Sequence, residues 1–193
     1  MKTLEIFKAI NAMDKRIFTF ADLSKIIGST NENTLYKTAA ALVQKSILAR
    51  VSNGVYSNPA KPPEMFEIAN QLYIPSYISL ESALYRYGII AQIPYTITSV
   101  TTKKPKKKVF ENTELEYVHI TAKYFFGYLK DKGILIATRE KALLDLLYLV
   151  AKKSRRFNLA NLNFKEIDRA RFSSYLKHYS YLPLSNLLKR LDL

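Results

Sequence analysis

The chain has 193 residues, 48% of them apolar, enough for one large or two small domains with packed cores. It contains no cysteine, which removes disulfides, thiol nucleophiles and cysteine-held zinc together. Its formal charge is +14, which calls for a polyanionic partner and argues against wholesale neutrality of either half. Residues 1–60 hold 8 Lys/Arg and 4 Asp/Glu, and residues 61–193 hold 22 and 12, so most of the excess lies in the second part. No run reaches the roughly 18–20 unbroken apolar residues of a membrane span. The longest apolar helical segment, residues 142–151, carries Asp145 and stops at Lys152-Lys153. The first residues, Met1 to Glu5, have no apolar signal core, so the expectation is a cytoplasmic protein with no membrane attachment.

Thr3 to Met13 reads as a first helix, with Leu4, Phe7, Ile10 and Met13 near helical spacing. Residues 17–20 read as a short strand or turn. Phe20 to Ile27 is a short amphipathic helix with Asp22 in its first turn, where an acid favours the helix dipole. Gly28-Ser29-Thr30-Asn31 is a tight polar turn, and Asn33 to Lys45 a longer helix. Ser29 with Glu32 fits a capping box for it. Leu35, Ala39, Leu42, Val43 and Ser46 form its expected inward stripe. Leu48 to Val51 and Val55 to Ser57 are β-prone runs around Ser52-Asn53-Gly54. Asn-Gly is a strong hairpin signal because both residues reach φ > 0 at low cost.

Asn58 to Pro63 has three prolines, which disfavour helix and sheet, and is the expected linker. Glu64 to Leu72 reads as a helix closed by Ile74-Pro75, and Leu80 to Tyr87 as a helix ended by Gly88. Residues 93–102 and 117–121 are rich in branched side chains and read as strands, with residues 124–128 and 134–137 following. Lys103 to Lys108 reads as a basic loop. Glu140 to Lys152 is a strong helix, and Phe164 to Leu193 reads as two or three helices interrupted at Pro183. The expected class is α+β: an N-terminal winged helix-turn-helix over residues 1–60 and a linker and connecting helix over 61–76. A mixed α/β C-terminal domain over 77–193 has a small, mostly antiparallel sheet and C-terminal helices.

A helix, turn, helix and hairpin in under fifty residues can lay its second helix in the DNA major groove. Thr30, Asn31, Asn33, Thr34 and Thr38 are then candidates for base edges, and Lys37 for phosphate. Arg50, Ser52, Asn53 and Tyr56 of the hairpin are candidates for backbone or minor groove. The competing reading is a structural or protein-binding module. Lys103, Lys104, Lys106, Lys107 and Lys108 form either a prong on nucleic-acid phosphates or a solvated tip whose charge blocks strand pairing. Lys152-Lys153-Ser154-Arg155-Arg156 follows a helix C-terminus, where cations favour the dipole.

No catalytic site, metal or cofactor is expected. The two histidines, His119 and His178, have no ligand partner at helical spacing, and no phosphate loop, dinucleotide fingerprint or serine elbow occurs. Glu140 and Asp145 suggest a nuclease pair only loosely. Five residues apart on one helix, they diverge by more than a quarter turn. A helix-start Glu and a buried Asp fit better.

The segments Tyr77-Ile78-Ser79-Leu80-Glu81-Ser82-Ala83-Leu84, Tyr87 to Pro94, Phe125-Phe126-Gly127 and Ala137 to Asp145, following a hairpin that ends Gly54-Val55-Tyr56, resemble the AbiEi antitoxins of type IV toxin–antitoxin systems. The resemblance runs from about Phe18 to Tyr148, with S-x-E-S-A-L and E-K-A-L-x-D its most specific parts. It implies a bacterial protein whose N-terminal domain represses its own operon through inverted repeats in double-stranded promoter DNA. Its C-terminal domain would counteract a nucleotidyltransferase-like toxin in phage abortive infection, a class generally described as acting without a stable toxin complex. Two copies on the DNA are expected, since one such module buries only about 600–1,000 Å². Family members often carry Gly before the wing, where this chain has Ser46. An RNA-binding module, a magnesium-dependent nuclease and a plain transcription regulator remain the competing functions.

Overall fold

The computed structural model describes residues 3–191 and divides into two compact units, Met1–Leu72 and Tyr73–Leu193. The final residues of the expected C-terminal helical stretch, 192 and 193, lie outside the described residues. The class is α+β, with eight α-helices among the described residues, a six-stranded mixed sheet and a small antiparallel one.

Unit 1 begins with α1 (Thr3–Ala12), β1 (Ile17–Thr19), α2 (Phe20–Ile27) and α3 (Glu32–Gln44). The hairpin β2 (Ala49–Ser52) and β3 (Val55–Ser57) follows, then α4 (Met65–Leu72). The ambiguous stretch at 17–20 is a strand over Ile17–Thr19, because Phe18 pairs opposite Tyr56 and both bury their rings, and Phe20 opens α2. The three strands run β1-β3-β2, all antiparallel. Ile6, Ile10, Phe18, Leu23, Ile26, Leu35, Ala39, Leu42, Leu48 and Tyr56 make one core. Thr19 and Asp22 form a capping box on α2, and Gly28, at φ 72°, ends that helix with its N–H on the Ser24 carbonyl.

Helix α3 is capped two residues later than the Ser29/Glu32 expectation. Its N-cap is Asn31, whose side-chain oxygen accepts the Thr34 N–H at 3.1 Å, while Ser29 holds the Asn31 N–H inside the turn. Ser46 does not extend the buried stripe. It is exposed and takes φ 56°, so a serine makes the left-handed bend before the hairpin. Gly54 at the hairpin tip has φ 72°, and a Cβ there would meet the Phe20 ring at 3.1 Å. The Phe20 N–H also donates to the Gly54 carbonyl at 3.1 Å, so the hairpin tip rests on the start of α2.

The proline-rich segment is anchored rather than free. Asn58 is buried and donates to Asn11 at 3.2 Å, its backbone N–H reaches the Arg16 carbonyl, and Lys61 donates to the Asn11 and Met13 carbonyls at the end of α1. Glu67 of α4 accepts from Arg16 at 3.3 Å. The chain therefore divides after Leu72, at the end of the connecting helix, and not within the prolines.

Unit 2 contains β4 (Ser76–Ile78), α5 (Leu80–Arg86), β5 (Thr96–Thr101), β6 (Lys106–Phe110) and β7 (Thr113–His119). It continues with β8 (Tyr128–Asp131), β9 (Ile134–Ala137), α6 (Arg139–Ala151), α7 (Arg169–Leu176) and α8 (Leu182–Leu191). The sheet order is β6-β7-β5-β4-β9-β8. It is larger than expected and mixed: three neighbouring pairs are antiparallel, while β5 runs parallel to β7 and β4 parallel to β9. Half of the expected basic loop is strand: Lys106, Lys107 and Lys108 pair with Tyr117, Glu116 and Leu115 along an edge of the sheet. Pro183 does not interrupt a helix but sits in the first turn of α8, where its missing N–H costs nothing.

Helix α6 is enclosed. Its residues 140–149 are all buried, and it packs against α5, α7, α8 and β9. Helices apolar on every face belong in a core, yet this one carries Glu140, Lys141 and Asp145 inside.

Candidate nucleic-acid interface

The polar face of α3 and the hairpin lie together in unit 1. Leu35, Ala39 and Leu42 turn inward, which leaves Asn33, Thr34 and Lys37 exposed along the first two turns and Thr38 half-buried beside them. Thr30 and Asn31 are exposed at the helix mouth. The Asn31 oxygen is occupied by its cap, so its amide N–H groups are what it offers a partner. Across the hairpin, Arg50 is exposed and donates to Asn53 at 3.3 Å, and Ser52 is half-buried beside a β-bulge. Among the described residues neither Lys37 nor Arg50 has a carboxylate in ion-pair range, so both cations are available.

Tyr56 is not with them. It is 4% exposed and packs toward Phe20 with ring centroids 5.9 Å apart, on the core side of β3. Tyr36 was missed by sequence reasoning. It is 42% exposed on α3, set edge-on against Phe20 at 4.4 Å, one residue before Lys37. Its helical position beside Asn33 and Lys37 was the available signal.

Asp22 secures the entry to this face. Burial pulls its pKa up, but hydrogen bonds from Lys15 and from the backbone and hydroxyl of Thr19 outweigh that, and the carboxyl titrates below its ordinary value. The result is a fixed start for α2, hence for the turn and α3 that follow.

In unit 2 the two segments that carry the family resemblance meet in one buried polar cluster. Asp145 accepts hydrogen bonds from Tyr77 at 3.0 Å, Ser79 at 2.8 Å and Lys141, and Tyr179 contributes a longer one at 3.4 Å. Lys141 also donates to the Tyr77 and Tyr179 hydroxyls at 3.0 and 3.2 Å, and its ammonium lies 5.1 Å from the Phe126 ring centre. Burial lowers the Lys141 pKa, with Asp145 opposing that fall. The Tyr77 hydroxyl is pushed well up by burial and then by the Asp145 charge. Gly127 leaves room for this lysine, since a Cβ there would sit 3.0 Å from its side chain.

Both side chains of the pair are fully buried. Asp145 is thus the buried carboxylate the sequence suggested. Glu140 is separate from it, buried at the helix start, accepting the Asp168 N–H at 3.2 Å and facing Arg171 at 3.8 Å. The spacing of Lys141 and Asp145, four apart on a helix, was legible as a pair. Its burial was not.

Of the lysine run, Lys103, Lys104, Lys106 and Lys107 are exposed, and Lys108 is half-buried. Lys103 and Lys106 reach over the Tyr73 ring at 5.7 and 5.6 Å, and Lys107 pairs with Glu114 at 2.8 Å. No cluster of three or more metal-ligating side chains occurs among the described residues, and no helix there is long and apolar enough to cross a membrane.

No family model matches the chain, and no curated protein matches it. Among solved structures, the RV2827C protein from Mycobacterium tuberculosis is similar in fold, with a TM-score of 0.53 at 14% identity over 96% of this chain and 70% of that one. At that identity the likeness is one of architecture, and it extends across both units.

Proposed function

We propose that unit 1 is a winged helix-turn-helix that binds duplex DNA, and that the chain is an AbiEi-type antitoxin. It represses its own operon and counteracts a nucleotidyltransferase-like toxin. The observation that carries the DNA reading is the exposed polar face of α3, Asn33, Thr34 and Lys37, flanked by Arg50 on a hairpin whose tip rests on α2. Helix N-terminal residues reading base edges, with hairpin cations on the backbone, is the docking mode this layout suits. The antitoxin reading rests on the sequence resemblance. The meeting of its two most specific segments at the buried Asp145 supports reading them as architecture.

The test is a gel-shift titration against DNA upstream of the protein's own gene, at about 150 mM salt with excess competitor, since phosphate contacts alone make so basic a protein stick at low salt. Wild type gives a sharp, competitor-resistant shift, with two copies on an inverted repeat. Lys37→Ala/Arg50→Ala weakens it at least ten-fold. A smear abolished by competitor and equal in both proteins would overturn the DNA reading.

A further inference from the structure

The fold brings together two basic runs that lie more than forty residues apart in sequence. Lys106 and Lys107 from edge strand β6, and Lys152 and Arg155 from just beyond α6, line one cleft of about 510 Å³ within unit 2. Its remaining lining includes the half-buried Val118, an edge of the buried Leu149, Glu116, Ser154, and His119 at the end of β7. A cationic rim over an apolar floor, in a cleft of this volume, is the make-up of a site for a small anionic ligand with a flat apolar part.

The cations differ in how they are held. Arg155 is fixed: Nε donates to Glu81 at 2.6 Å and both terminal nitrogens donate to Glu116 at 3.2 Å, which still leaves one N–H on each. Lys107 is tied to Glu114. Lys106 and Lys152 are exposed, and among the described residues neither has a carboxylate in ion-pair range. His119 donates from Nδ1 to the Lys103 carbonyl at 3.0 Å, which leaves Nε2 and the ring face for a ligand.

We infer that this cleft takes one nucleotide of a single-stranded polynucleotide, with its phosphate between Lys106 and Lys152 and its base over Val118 and Leu149 beside the His119 ring. A base in a duplex is stacked and paired and cannot enter such a cleft, whereas an unpaired base can be splayed into it and stacked on histidine or arginine. The neighbouring exposed cations Lys103, Lys104, Lys153 and Arg156 extend the rim for adjoining phosphates. The inference stands apart from the duplex reading of unit 1 and uses none of its residues.

The test uses the full chain and labelled oligouridylate and oligothymidylate of about 6 nucleotides. Fluorescence anisotropy measures affinity, and proton NMR follows the chain's two histidines, His119 and His178. Both strands, or one of them, are expected to bind, to move the His119 signals and to leave His178 in place, with uridine monophosphate competing. Lys106→Glu/Lys152→Glu weakens binding at least ten-fold more than Lys130→Glu/Lys165→Glu, an equal charge change at exposed sites off the cleft.

Lys37→Ala/Arg50→Ala leaves single-strand affinity unchanged, so failure of the duplex reading and failure of this one are separable. Preference between the two strands reports whether the sugar is read. Equal losses in the two charge-reversed variants, an unmoved His119, or loss only in the unit 1 variant would each overturn the inference. The NMR arm reads the wild type alone and does not depend on any variant folding.

Discussion

Helices α3 and α6 are each 13 residues long, and they use their polar side chains in opposite ways. Helix α3 buries a narrow stripe and leaves its polar residues in solvent with few internal partners. Helix α6 buries ten residues in succession, including a lysine and two acids, which bond to Tyr77 of β4, to the Asp168 N–H at the start of α7 and to Tyr179 after α7. A polar residue that is free on a surface can be spent on a partner. One that is already bonded inside the protein has its role fixed by the fold. The difference separates the chain's candidate interface, which is exposed, from its most distinctive sequence motif, which is buried.

The largest test of that contrast is Asp145→Ala. It leaves the Lys141 ammonium buried without its carboxylate and is expected to destabilise unit 2 by about 3–5 kcal/mol, measured by urea denaturation with tyrosine fluorescence and circular dichroism. Lys141→Met/Asp145→Leu removes both charges and is expected to recover most of that loss. A small effect of Asp145→Ala alone would mean that the pair is not the internal anchor of α6.

A middle-sized effect is expected at the other helix pair. Asp22→Asn removes the acid of the α2 capping box and costs about 1 kcal/mol at neutral pH. The folded carboxyl titrates below its ordinary 3.8, so its contribution is present above that value and is lost as pH falls through the folded pKa. The stability gap between wild type and Asp22→Asn therefore closes in acid, and a gap independent of pH would break the assignment. The smallest effect is Ser46→Gly. Relief of the left-handed strain at φ 56°, set against glycine's greater chain entropy, is expected to raise stability by up to about 1 kcal/mol, read as a shift in urea midpoint at unchanged slope.

Local chemistry made much of unit 1 legible. Gly28, Asn53-Gly54 and the stripe Leu35, Ala39, Leu42 each act over a few residues, and each marks a turn or a face that the structure contains. Long-range pairing was not legible. The parallel contacts of β5 with β7 and β4 with β9 join segments that no local pattern links, and the lysine-rich β6 reads as loop because lysine is a poor strand former everywhere except on an edge. Tyr56 misled because an aromatic on a hairpin faces out or in according to register alone. The burial of Lys141 has no local signature, because lysine is almost never fully buried without a partner and that partner depends on the tertiary fold.

The cluster around Lys141 also shapes how unit 2 can be assembled. Its members come from Tyr77 and Ser79 near the start of the unit, Gly127 in the middle, Asp145, and Tyr179 close to the end. Contacts this far apart in sequence are slow to close, because the loop entropy is lost before the hydrogen bonds form. Until the segment bearing Tyr179 docks, one side of the lysine is open to water and the helix around it is an incomplete core. On a ribosome, the unit would wait for nearly its whole length to emerge before its interior charges were covered, and would then close in a single cooperative step.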